Sequence, residues 1–292
     1  MRNDLLQFCK EPAFVAGVAV AVALIGLAGA TARAGTTFQV LDNTAYSDVT
    51  IGDSAIKTNF IPARYCQPLT WNSTTGKVQL PSQSDWDNLV NTYDPTPANS
   101  TGFLVLDCEK LYLIDSSATI ANRFAILKQL QEWTQAIRPN RVLGWYGLVN
   151  TFNISTQDPA DAYQDIAALM DLHPGYTAYF PSAYITSSDT SPYTGAAWTT
   201  QLNTDIATAA AIDTRSSSGS HPVYPYIWPQ NYDNVTTLVP AAQWQVMLNT
   251  ILSTSATGLV IWGGQNPAVE YNASNGGYGP WVGITQTFLS TL

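Results

Sequence analysis

Short apolar runs recur along this chain, and between them apolar positions return every three or four residues. The short runs predict strands over Thr37–Leu41, Thr58–Ile61, Gly102–Asp107, Val142–Gly147, Thr177–Phe180, Val223–Ile227 and Gly258–Trp262. The longer period predicts helices over Trp86–Tyr93 behind a cap-like Ser84, Ile120–Ile137, Ala160–Leu172, Ala197–Ile212 and Ala241–Ser253. In the second helix Phe124, Leu127, Leu130 and Trp133 make a face for packing on a sheet, and Arg138-Pro139-Asn140 ends it. A closing helix is expected in the terminal "ITQTFLSTL".

Strand and helix in alternation mean a parallel sheet, wound open or closed. No G-x-G-x-x-G follows the first strand and no P-loop occurs, so nucleotide-binding versions have no support. Polar and aromatic residues gather instead at strand C-terminal ends: Asp107/Glu109, Trp145/Tyr146, Tyr184, Tyr226/Trp228 and Trp262. In a closed barrel those ends converge on one mouth. The expected fold is therefore α/β, a distorted (β/α) TIM-like barrel with about seven parallel strands.

The stretch "TGFLVLDCEK" carries the most chemistry. Alternation puts Phe103, Val105, Asp107 and Glu109 on one face and Leu104, Leu106 and Cys108 on the other. Both faces are apolar until the end, as in a strand covered on both sides. Two carboxylates there are expensive to desolvate, and barrel active sites sit at that end.

Composition narrows the setting. Residues 1–34 carry Arg2 and Lys10, an apolar run from Ala13 to Ala30, and an Ala32-Arg33-Ala34 cleavage pattern, the layout of a secretory signal peptide. Residues 35–292 are then expected as one catalytic domain, secreted or periplasmic, with no membrane association after cleavage. Loss of the leader removes three cations and two anions, which makes the net charge of −9 more negative by one. Such a surface repels phosphate backbones, which excludes nucleic acid as a partner, and it disfavours polyanionic glycans. Oligomeric state is not legible.

The chain contains two histidines, His173 and His221, and no C-x-x-C, so neither a metal nor a cofactor is expected. A Ser-His-Asp triad has no G-x-S-x-G elbow to support it. Cys66 and Cys108 are the cysteines left after the leader; a disulfide between them competes with a buried free thiol at Cys108, and the free thiol is favoured.

Acids flanked by Trp and Tyr point to a sugar site, a polysaccharide or oligosaccharide being the ligand. Two acids on one strand end lie on one side of a scissile bond. That suits substrate assistance, in which the sugar's own N-acetyl group attacks. Glu109 would be general acid and then base, with its pKa raised by burial and by the neighbouring acid, and Asp107 would orient the acetamido nitrogen. Tyr146, Tyr184, Tyr226, Trp228 and Trp262 are the candidate substrate-binding residues. Two alternatives stay open: a glycosidase for non-acetylated sugars with Asp233 as nucleophile, and a non-catalytic glycan-binding protein on the same barrel.

These motifs, in this order, resemble the hyaluronidases. "GFLVLDCEK" is similar to that family's strand ending in D-x-E; the resemblance implies that Asp107 positions the acetamido group and Glu109 donates the proton. "RVLGWYGLVNTFN" resembles the next strand. "YFPSAY" resembles the P-S-x-Y stretch and puts Tyr184 at the acetamido-holding tyrosine, while "HPVYPYIW" and "TGLVIWGG" resemble the strands that follow, the latter placing Trp262 at the site. The resemblance implies a secreted, endo-acting, retaining glycoside hydrolase. The chain departs from the family in having Cys108 between the two acids, in lacking the family's cysteine framework, and in holding Phe152 at the place of an active-site tyrosine, whose hydroxyl is either lost or supplied by Tyr146. Cations to meet glucuronate are few, so an N-acetylhexosamine glycan of low charge is expected rather than hyaluronan.

Overall fold

The computed structural model describes residues 37–45, 51–52, 56–57, 59–61, 71–72, 77–190, 196–263 and 279–292. The leader expected over 1–34 and Cys66 lie outside them. The elements are β1 (Gln39–Thr44), β2 (Ile56–Lys57), β3 (Asn59–Ile61), β4 (Trp71–Asn72), β5 (Lys77–Val78), α1 (Gln83–Tyr93), β6 (Gly102–Leu106), α2 (Ser117–Ile137), β7 (Arg141–Trp145) and α3 (Pro159–Met170). They continue with α4 (Ser187–Thr190), α5 (Ala196–Asp213), β8 (Tyr226–Ile227), β9 (Gln230–Asn231), β10 (Asn234–Leu238), α6 (Ala241–Leu252), β11 (Gly258–Gly263) and α7 (Pro280–Leu289).

Two sheets are wholly parallel, in the orders β2-β1-β11-β8 and β3-β6-β7. Two small antiparallel pairs, β4-β5 and β9-β10, were not anticipated. The expected closed barrel does not form as one continuous ladder among the described residues. Between β7 and β8 the predicted strand Thr177–Phe180 makes only isolated parallel bridges, Leu143 to Thr177 and Tyr146 to Phe180 on one side, Tyr179 to Val223 and Ser182 to Tyr226 on the other. The predicted Val223–Ile227 strand is likewise cut to Tyr226–Ile227. Proline explains both. Pro181, Pro222 and Pro225 have no N–H to donate, and their carbonyls accept from Tyr226, Tyr179 and Val260 at 2.8, 2.9 and 2.9 Å.

Alternation sorts the side chains into two cores, as the strand period requires. Leu41, Phe103, Val105, Tyr146, Ala178, Phe180, Tyr224, Tyr226 and Val260 pack together on one side of the sheets. Val40, Leu104, Leu106, Leu143, Tyr179, Ile227 and Leu259 turn the other way, into the core that also buries the helices. On α2 the buried residues include Ile120, Ile126, Leu127, Leu130 and Thr134, whereas Phe124 and Trp133 are half-buried, because a helix turns every 3.6 residues and a spacing of three drifts off the face. The cap of α1 is Ser82, not Ser84: its hydroxyl accepts from the Asp85 N–H at 3.2 Å.

Gly144 sits where the chain through Ala178 and Phe180 crosses β7 closely. A Cβ there would lie 2.2 Å from the Ala178 carbonyl oxygen and 2.5 Å from the Phe180 ring. Gly144→Ala is expected to cost about 1–3 kcal/mol of overpacking strain, measurable as a lowered denaturation midpoint.

At the opposite end of β6 and β7 from Asp107, a buried ionic knot ties the connections together. Arg141 grips Asp94 with two hydrogen bonds of 2.9 Å, and Arg138 adds a third of 3.2 Å. All three residues are buried.

Candidate active site

Asp107 follows β6 immediately and is 8% exposed, and its charge acts on Tyr146, Tyr184 and Tyr226 on the side to which Phe103 and Val105 turn. The strand stops at Leu106, and Glu109 is therefore not placed by strand alternation. It opens a single 3-10 turn, Glu109–Leu111, and stands exposed. Surrounding protein still strips part of its hydration, and that desolvation raises its pKa from 4.5. Cys108, between them, is buried in the outer core and disulfide-bonded. The favoured free thiol is thus overturned; its partner cysteine lies outside the described residues.

Tyrosines surround the acids. Burial raises the pKa of Tyr112, Tyr146, Tyr184 and Tyr226, and the negative charge of Asp107 raises each further. All four are accordingly neutral hydroxyls at any working pH, able to donate. Tyr146 Oη donates to Ser182 Oγ at 2.9 Å and is hydrogen-bonded by Tyr184. Tyr226 Oη accepts from Asn43 Nδ2 at 3.1 Å.

The five aromatics singled out in the sequence form one contiguous group. Tyr184 stacks on Trp262 at 5.8 Å between centroids and lies 5.7 Å from Trp228 and 5.9 Å from Tyr146. Trp228 meets Trp262 edge-on at 4.8 Å, and Tyr146 meets Tyr226 at 5.1 Å. Trp145 is the exception to the strand-end pattern: it turns outward and its indole N–H donates to Gln131 at 2.9 Å.

Four neighbours were missed. Tyr112 and Tyr232 add aromatic surface, Tyr232 stacking on Tyr184 at 6.1 Å. Asn43 would have been found by extending the first strand two residues past Leu41 on the same face. Ser182 lay inside the P-S-x-Y stretch. It is locked by Asn150, whose Oδ1 accepts the Ser182 N–H at 2.7 Å and whose Nδ2 donates to the Ser182 carbonyl at 2.9 Å and to the buried Asp205 carboxylate at 2.7 Å.

Two other candidates fall away. The Asp233 carboxylate is taken by Ser187, through its N–H and its hydroxyl, each at 2.6 Å, and these bonds outweigh desolvation and lower its pKa. These bonds tie Asp233 to Ser187 at the start of α4, the arrangement of a turn acid. Ser218, His221 and Asp213 do make a chain, with Ser218 Oγ 2.9 Å from His221 Nε2 and His221 Nδ1 2.7 Å from Asp213. Yet Ser218 donates its proton to Asp171 at 2.5 Å, so the histidine does not activate it. The chain staples the loop that follows α5.

No protein-family model matches this chain, and no curated protein matches it. Among solved structures, bee venom hyaluronidase superposes with a TM-score of 0.57 at 13% identity, covering 88% of this chain and 97% of that one. A structure of bee venom hyaluronidase in complex with a hyaluronic acid tetramer gives 0.51 at 15% identity, covering 78% and 79%. The likeness is one of fold.

Proposed function

We propose that this protein is a secreted or periplasmic glycoside hydrolase that cuts within an N-acetylhexosamine-containing glycan by a retaining, substrate-assisted mechanism. The observation that carries the reading is a buried Asp107 ringed by neutral tyrosines, with the raised carboxyl of Glu109 two residues on and an aromatic wall beside them. The likeness in fold to bee venom hyaluronidase supports it. The bridges through Thr177–Ser182, and the pairing of residues 56–57 with β1 and 59–61 with β6, support reading the two sheets as one distorted seven-strand barrel.

In this reading Glu109, whose carboxyl desolvation shifts toward the protonated form, gives its proton to the leaving oxygen and later takes one from water. The acetamido carbonyl oxygen closes on the anomeric carbon, and Asp107 accepts a hydrogen bond from the acetamido N–H and steadies the positive charge that develops there. The hydroxyls of Tyr146, Tyr184 and Tyr226 fix the acetamido group, and Trp228 and Trp262 pack against sugar rings. The leader over 1–34 would deliver the enzyme outside the cytoplasm.

The test is reducing-end release by the wild type from chitin oligomers, hyaluronan, unsulfated chondroitin, peptidoglycan fragments and a neutral glucan. Cleavage confined to N-acetylated substrates is expected; cleavage of the glucan would sink the acetamido mechanism, and binding without cleavage would favour a glycan-binding protein. The pH profile gives a second check. A general acid works protonated, so kcat/KM should fall on the alkaline side through a group whose pKa lies above the ordinary glutamate value of 4.5. A limb at or below 4.5 would contradict Glu109 as the acid.

A further inference from the structure

Phe152 is 64% exposed, far more than any other large apolar side chain among the described residues. It is not on a loose loop. It stands on a single 3-10 turn, Thr151–Asn153, whose first N–H is held by the buried Asp205 at 3.0 Å and whose last side chain donates to the Gly147 carbonyl at 2.7 Å. The ring is thus presented to solvent on a fixed mount.

It lines a groove of about 270 Å³ with Ile114, Asp115, Ile154, Thr156 and Gln157, close to the lower bound of roughly 300 Å³ for ligand sites. The groove belongs to the connections that follow β6 and β7, the same edge of the sheet that carries Asp107 and Tyr146. A parallel bridge from Leu113 to Ile154 fastens those connections together. Asp115 on its wall is the one non-glycine with a left-handed backbone among the described residues, at φ 77°. Such strain persists where surroundings impose it, and it gathers at ligand sites. The Asp115 carboxylate is held by Arg123 at 3.2 Å, and that guanidinium is itself buried. Among the described residues no lysine lines the groove, and Arg123 beside it is already paired with Asp115.

We propose that this groove is a sugar-binding subsite flanking the cleavage position, in which Phe152 stacks on an uncharged pyranose ring while Thr156 and Gln157 bond its hydroxyls. The inference rests on the glycosidase reading and deepens it: the substrate is a polymer, and the ring held here carries no carboxylate.

The experiment measures binding and cleavage of chitin oligomers from dimer to hexamer by the wild type, Phe152→Ala and Phe152→Tyr, with uronate-containing oligomers of equal length as comparators. Phe152→Ala should lose about threefold to tenfold in affinity and in kcat/KM on the longer chitin oligomers and nothing on the dimer, with Phe152→Tyr retaining both. Uronate oligomers should gain nothing from added length. An unchanged Phe152→Ala at every length, an equal loss at every length, or a gain for lengthened uronates overturns the subsite while leaving the enzyme reading intact. Length-dependent loss of binding without any cleavage by the wild type keeps the subsite and overturns the hydrolase. Neither binding nor cleavage by the wild type overturns both.

Discussion

Glu109→Gln is expected to keep glycan binding and to cut turnover roughly a hundredfold to ten-thousandfold, the range that loss of a general acid–base group produces. The amide is close in size and sits exposed at the first position of a short 3-10 turn, so the fold should not notice the change. Aromatic contacts to the sugar are untouched by it, and Kd by calorimetry should stay within a few-fold. A variant that turns over at the wild-type rate would remove Glu109 from the chemistry. One that loses binding as well would make it a substrate ligand instead.

The largest effect on stability is expected from Asp94→Ala. Asp94 is fully buried and holds two guanidiniums, Arg138 and Arg141, which are themselves buried. Removing it leaves two buried cations without a counter-charge, though with carbonyl, amide and hydroxyl partners still in place, a loss of about 3–5 kcal/mol by analogy with other broken buried ion pairs. Urea denaturation measures it; a loss below 1 kcal/mol would show that water reaches the arginines. The pH dependence has a definite sign. Burial by itself would raise the Asp94 pKa, but hydrogen bonds from Arg141 and Thr96 and the charges of both arginines outweigh it and hold it below 3.8. A depressed carboxyl stabilises the fold above its unfolded pKa and loses that contribution as pH falls through the folded value. The gap between wild type and Asp94→Ala should therefore be full at neutral pH and narrow below about pH 4.

What could be read from the chain alone was whatever depends on period. The alternation Phe103, Val105, Asp107 against Leu104, Leu106, Cys108 appears as two separate cores, and the aromatics at strand ends do meet, from Tyr146 to Trp262. Misreadings came where a local feature overrides the period. Trp145 is one residue out of phase with Tyr146 and faces the helices. Glu109 lies past the strand end, where a 3-10 turn rather than the pleat decides its direction. Pro181, Pro222 and Pro225 break ladders that a count of β-branched and aromatic residues would have continued. Two shortfalls had no local signal at all. The Cys108 disulfide depends on a residue distant in sequence, and the grip of Asn150 on Ser182 spans 32 positions.

The most direct test of the double displacement that substrate assistance requires is the anomeric configuration of the first product, followed by NMR as a chitin oligomer, rather than a non-acetylated one, is cut by the wild-type enzyme. Attack by the acetamido group and then by water makes two displacements at one carbon, so the new reducing end should first appear with the configuration of the bond that was broken. Appearance of the opposite anomer would mean a single displacement by water, and the pairing of roles given to Asp107 and Glu109 would be wrong.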